Sequence, residues 1–281
     1  MILKNVTVQD FRNIAFASLD FSGRRQFFVG SNGQGKTNLL EAVGYVTALR
    51  SFRSADHRLL IRHGEKEAGV RFVFDHDLMD ETPVRILIRP KGRQVTVDQE
   101  KVSRLADIIG KFPTVVFSSD DVQFVRASPG TRRRWMDLVL AAADPAYLQV
   151  LQEYHRGLAA RNRLLKEQAA DREIASFEMV MAAAAVAVFR KRREALERLG
   201  EFVSDYYRVI SFGEEEAAFH FRPDLRIESD ELILEQWRKS RARDRLWGAT
   251  QRGPHRDDYL LKLDGHPARE YASEGQQRGL V

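Results

Sequence analysis

The chain has 281 residues, 43% of them hydrophobic, enough for one large domain or two of ordinary size. It contains no cysteine, which excludes a disulfide framework, a Cys-ligated zinc and a thiol nucleophile. A net charge of +5, from 45 Lys and Arg against 40 Asp and Glu, permits nucleic-acid binding without demanding it.

Residues 2–8 and 15–21 alternate as strands, and the N-terminus shows no basic-then-apolar leader. Residues 26–29 (QFFV) read as a short buried strand, and 38–49 (NLLEAVGYVTAL) as a helix. Between them lies Gly30-Ser31-Asn32-Gly33-Gln34-Gly35-Lys36-Thr37, which fits the phosphate-loop pattern G-x-x-x-x-G-K-[ST] at every fixed position. A loop joining a strand to a helix N-terminus presents backbone N–H groups to an anion, and its glycines remove the Cβ atoms that would block the approach. Lys36 is expected to reach the β- and γ-phosphates of ATP, and the Thr37 hydroxyl to ligate Mg²⁺.

Further strands are expected at 68–75, 84–89 and 94–98, the last two joined by a turn at Lys91-Gly92-Arg93. From Pro129 the pattern becomes helical: 131–143 after the start signal Ser128-Pro129, then 145–170 opened by Asp144-Pro145, 172–200, and 230–243. Its longest apolar run, residues 179–189, is too short to span a bilayer, so a soluble cytoplasmic protein is expected. Three basic clusters fall here, Arg132 to Arg134, Arg190 to Arg193 and Arg238 to Arg245, and together they suggest a surface that tracks phosphates. Trp135, Trp237 and Trp247 are expected to pack in the core or along the helices, and His255 to serve as a hydrogen-bonding structural residue. Residues 258–263 read as a strand turned at Asp264-Gly265. The expected organisation is an ATPase head over 1–113, a helical arm over 114–247, and a return to the head over 248–281.

The guanine-reading N-K-x-D tetrapeptide is missing, and the one D-x-x-G (Asp20 to Gly23) precedes the loop, in the wrong order for a GTPase switch. Near the other end, Ser273-Glu274-Gly275-Gln276 has the S-x-G-Q form of the ABC-type signature. A Ser hydroxyl and Gly N–H at a helix N-terminus make a second anion site, though a plain helix cap explains the same residues.

The chain resembles the bacterial RecF recombination-repair ATPases, relatives of the SMC proteins. The resemblance rests on Phe11-Arg12-Asn13, GSNGQGKTN at 30–38, Ser51-Phe52-Arg53, VVFSSDD at 115–121, SPGTRRRWMD at 128–137, GPHRDD at 253–258 and SEGQQR at 273–278. Ser119 and Asp120 stand where the family more often has Pro and Glu. The resemblance implies an α/β, ABC-type, SMC-like P-loop ATPase head with a mixed sheet and an inserted helical arm. It implies a homodimer closing head-to-tail over two ATP molecules, with Ser273, Gly275 and Gln276 of one subunit meeting the nucleotide held by the other. Arg12 is placed by it near the α-phosphate or base. DNA, single-stranded or gapped, and RecO- and RecR-type proteins are the implied partners, with recombinase loading and the SOS response the implied setting.

In that family a hydrophobic strand ending in acidic residues follows the signature and serves Mg²⁺ and the attacking water. Residues 72–75, 115–121 and 257–258 are the nearest substitutes here, but the first lies too early and alternates like a half-exposed strand, the second has two Ser between strand and acids, and the third begins a strand instead of ending one. Nucleotide binding is therefore expected to exceed hydrolysis, with a hydrophobic sheet edge left uncovered. A small-molecule phosphotransferase and an SMC-type head with other cargo are the competing readings.

Overall fold

Strand β1 (Ile2–Phe11) turns Val6 and Val8 to one side, and the neighbouring strands repeat that alternation, while Phe11 is buried beyond Asp10, whose φ of 49° breaks the period. In the computed structural model, which describes residues 1–54, 56–76, 79–104, 107–118 and 121–281, these strands form a six-stranded sheet. With β2 (Ile14–Asp20), β3 (Ala68–His76), β4 (Met79–Arg89), β5 (Gly92–Val97) and β6 (Glu100–Lys101), the order is β2-β1-β3-β4-β5-β6. Val70, Phe72, Val84, Ile86, Ile88 and Val95 join the buried face, and helix α1 (Lys36–Ala48) covers it with Leu39, Ala42, Tyr45 and Val46. The opposite face is solvated, as antiparallel sheets allow.

One expected strand is not formed. Residues 26–29 pair with none of the described strands; Phe27 and Val29 are 82% and 94% exposed, and only Phe28 reaches the core. An apolar run gains strand structure only when its N–H and C=O groups find a ladder partner, and periodicity cannot supply one. Every ladder among the described residues is antiparallel. Val115 and Phe117 are likewise exposed and outside any strand, while Ser119 and Asp120 lie outside the described residues.

The chain forms two compact units, Met1–Val116 and Phe117–Val281. In the second, a one-turn helix α2 (Gln123–Arg126) precedes α3 (Pro129–Ala143), whose N-cap Ser128 accepts from the Thr131 N–H. Asp144 closes α3 through its own N–H and opens α4 (Pro145–Lys166) by accepting from Ala146 N–H. Helix α5 (Asp171–Ile210) folds back along α4 and runs ten residues past the expected end at Gly200. That glycine is no cap. A Cβ there would lie 3.3 Å from the carbonyl oxygen of Phe219, so its bareness lets α5 approach strand β7 (Ala217–Arg222), which sequence reading missed. Helix α6 (Asp230–Trp247) ends where Gly248 takes a left-handed φ of 58°. Residues 248–281 then add β8 (Asp258–Leu263), β9 (His266–Pro267), α7 (Ala268–Tyr271) and α8 (Glu274–Gly279) to this unit, with β8 paired between β7 and β9.

Each basic cluster turns one member inward, Arg132, Arg192 and Arg241, while Arg134, Arg190, Arg193, Arg238, Lys239 and Arg243 stay exposed. Arg132 is buried in a bidentate pair with Asp258, and Arg192 bridges Asp137 and Asp257 at 2.7 Å each. Lys191 pairs with Asp144, Arg241 with Glu178, and Arg245 with Asp171. Trp237 is fully buried and donates to the Arg252 carbonyl, but Trp247 is 68% exposed, against expectation. Among the described residues no helix is long and apolar enough to cross a membrane.

Candidate phosphate-binding site

The Gly30–Thr37 loop enters α1 through two residues that only glycine occupies without strain. Gly33 has φ 82° and Gly35, the N-cap of α1, has φ 97°. A Cβ at Gly35 would also lie 2.9 Å from Asn13 Oδ1. No side chain caps the helix, so the N–H groups of its first turn, which have no intrahelical acceptor, remain open to an incoming ligand. Lys36 folds over the loop and donates from Nζ to the carbonyls of Gly30 and Ser31, 2.7 Å each. The ammonium thus sits above the concave side of the loop, within the first turn of a helix whose dipole already favours an anion. A cavity of about 310 Å³ faces it, lined by Asn32, Gly33, Gln34, Gly35, Lys36, Thr37, Asn38 and Arg53. Thr37 is exposed to that cavity, and its hydroxyl suits a hard cation that also binds phosphate oxygens. The lining carries no carboxylate.

Asn13, at the turn between β1 and β2, is the brace of the loop. Its Nδ2 donates to the Gly33 carbonyl at 2.9 Å and its Oδ1 accepts from Asn38 Nδ2 at 2.7 Å. Arg12 beside it has φ 57° and turns its guanidinium onto Glu41 of α1, with Nε and Nη2 to the two carboxylate oxygens at 3.0 and 2.5 Å and Nη1 to the Leu59 carbonyl at 3.0 Å. Glu41 is fully buried, and it also accepts from Ser51 Oγ at 2.5 Å and faces Arg53 Nη1 at 3.4 Å. Arg53 in turn donates to Asn38 Oδ1 at 2.7 Å and is half exposed, so it is the cation here with most freedom to meet a ligand. Arg12, Asn13, Asn38 and Arg53 also border a wider cleft of about 650 Å³ that continues past Arg58, Ile61 and His63. Sequence reading named Arg12 and missed the roles of Asn13, Asn38, Glu41 and Arg53. An Asn in a sheet turn carries no local signal of what it braces 20 residues away.

Ser273, Gly275 and Gln276 belong to the second unit. Ser273 caps α8: its Oγ accepts from Gln276 N–H at 3.3 Å and its own N–H donates to Gln276 Oε1 at 2.6 Å, a reciprocal capping box. Gln276 also donates to Glu215 at 2.5 Å. Gly275 is exposed, and a Cβ there would meet only Ser273 Oγ at 4.0 Å, leaving open space above the helix start.

The RecF/RecN/SMC N terminal domain model matches residues 2–277 of this chain. The DNA replication and repair protein RecF of Leptospira interrogans (serogroup Icterohaemorrhagiae, serovar copenhageni) is 34% identical over 284 residues, covering all of this chain and 77% of its own length. The protein of the same description from Trichlorobacter lovleyi is 35% identical over 286 residues, again with 77% of its length covered. A solved structure described as the recombination mediator protein RecF with ATP in the RecFOR pathway superposes with a TM-score of 0.92 at 28% identity, over 99% of this chain and 77% of that one.

Proposed function

This chain belongs to the RecF family and has its SMC-like ATPase-head fold, and from that premise we propose that it binds ATP with Mg²⁺ through Gly30–Thr37 and acts on DNA in replication-linked repair. The observation that carries the reading is the loop itself: two left-handed glycines, an uncapped helix N-terminus and a lysine ammonium converge on one concave site. On ATP binding, Lys36 leaves the two loop carbonyls for the β- and γ-phosphates, exchanging neutral acceptors for charged ones. Thr37 holds Mg²⁺ against the same phosphates. Arg53 approaches from the rim, while Arg12 keeps Glu41 neutralised beneath.

Within this proposal residues 1–113 and 248–281 serve the head and 114–247 the arm. Ser273, Gly275 and Gln276 meet the nucleotide of a second copy, so that ATP drives a homodimer. The proposal extends, on the strength of family membership, to RecO- and RecR-type partners, recombinase loading, the SOS response and a cytoplasmic location. No water-activating carboxylate is assigned, because the lining of the loop cavity holds none. Titration calorimetry with ATP and Mg²⁺ tests the central claim. Lys36→Ala is expected to weaken binding by about two orders of magnitude, roughly 3 kcal/mol for a lost charge-assisted contact to phosphate. Unchanged affinity in that variant overturns the site.

A further inference from the structure

The solvated face of the six-stranded sheet carries two arginines directly opposite each other. Arg71 of β3 pairs in register with Arg85 of β4, and both alternate with core residues: Val70 and Phe72 on one strand, Val84 and Ile86 on the other. Both side chains are exposed, and neither makes an ion pair or a side-chain hydrogen bond among the described residues. Like charges directly across a ladder are destabilising, so this pair works against the fold that holds it. The nearby carboxylates do not relieve it. Asp75 is taken by Lys4 at 3.0 Å, and Glu67 by Arg89 at 2.7 Å.

The same row extends over the whole sheet. Ser18 pairs with Thr7, Thr7 with Arg71, Arg85 with Thr96, and Thr96 with Lys101. Hydroxyls therefore flank the two guanidiniums and an ammonium closes the end. Of the two adjoining rows on this face, that of Phe16, Gln9, Gly69, Leu87 and Gln94 lacks a carboxylate, while that of Asp20, Asn5, Val73 and Pro83 carries one, Asp20, which accepts from Asn5 Nδ2 at 2.7 Å. We propose that this face binds the phosphate backbone of duplex DNA, with Arg71 and Arg85 as paired contacts and Thr7, Thr96 and Lys101 beside them. The inference rests on the DNA-binding reading above and assigns it a surface.

Charge and spacing support that occupant. Guanidinium donors are the usual partners of phosphate oxygens, and the row from Ser18 to Lys101 holds no apolar side chain, the exposed Phe16 standing in the row beside it. From Arg71 to Lys101 the row crosses three strand spacings, about 14 Å. That is close to the ~12 Å width of a major groove, so its two ends reach the phosphate strands on either side of one groove. Phosphates bound there also remove the Arg–Arg repulsion, so occupancy stabilises the sheet. In the second unit Arg132, Arg161, Arg192 and Arg241 are already committed to internal carboxylates.

Fluorescence anisotropy with labelled duplex DNA, run across a salt series on the purified chain, tests this. Arg71→Ala with Arg85→Ala is expected to weaken binding about tenfold near physiological salt and to reduce the slope of log K against log salt by about 2, two contacts at ~0.9 each. Arg71→Lys with Arg85→Lys should keep the slope, and the alanine pair should melt no lower than wild type. If wild type binds DNA but the alanine pair keeps the full slope, the surface is wrong and the face serves an acidic protein or nothing. If wild type does not bind DNA, the functional reading falls and this surface with it.

Discussion

His255 shows how a residue with catalytic chemistry is put to structural use. Its Nε2 donates to the Thr250 carbonyl at 2.9 Å, which leaves Nδ1 to accept from Tyr154 Oη at 2.6 Å. Burial pushes its pKa down to about 4; the hydrogen bond to Thr250 opposes the shift, and the charges of Arg256 and Arg133 add to it. Because the folded value lies below the unfolded ~6.5, the unfolded chain takes up this proton first. The stabilisation is therefore full above pH ~6.5 and is lost as pH falls toward 4, a contribution on the order of 3 kcal/mol. His255→Gln should flatten the acid limb of the stability profile between those limits. Ring resonances followed by NMR should titrate near pH 4 in the wild-type chain, and a midpoint near 6.5 would contradict the burial argument.

At the scale of elements, a buried ion network ties three helices of the second unit. Arg161 of α4 is fully buried, reaching Glu178 of α5 and Asp244 of α6 at 2.8 Å each, and Thr250 at 2.7 Å. Arg241 of α6 holds the other oxygen of Glu178, and Arg161 also lies 5.7 Å from the Trp237 ring centre. Arg161→Leu leaves two carboxylates without their shared cation, and the expected cost is about 3–5 kcal/mol. Urea unfolding should show it as a lower midpoint. Loss below 1 kcal/mol would mean that water or Arg241 takes over the charge. Sequence gave the helices their approximate places here but misjudged their arginines. A run such as Arg190-Lys191-Arg192-Arg193 looks uniformly solvated, yet at 100° per residue one member, Arg192, turns inward and finds Asp137 and Asp257. Partners 55 and 65 positions away leave no trace in the local pattern.

At the scale of the whole molecule, the phosphate loop is read as one half of a site that a second copy completes. Light scattering should show the 32.3 kDa chain doubling its mass with Mg²⁺ and a slowly hydrolysed ATP analogue. Ser273→Arg should abolish that doubling while leaving nucleotide affinity within about twofold, because in the proposed dimer Ser273 meets the other subunit's ligand. A dimer that survives the substitution would remove the signature residues from the interface. The chain's own sequence determined the phosphate loop, the cap at Ser128, the Asp144 junction and the strand at 258–263, because each depends on a few neighbouring residues and on backbone φ that glycine, proline and capping side chains set locally. Only the tertiary structure decided that residues 26–29 stay unpaired, that Ala217–Arg222 becomes a strand, that Arg12 spends its guanidinium on Glu41, and that Arg71 faces Arg85. Those outcomes depend on which groups meet across long separations in the chain, and a hydrogen bond or ion pair exists only when both partners arrive.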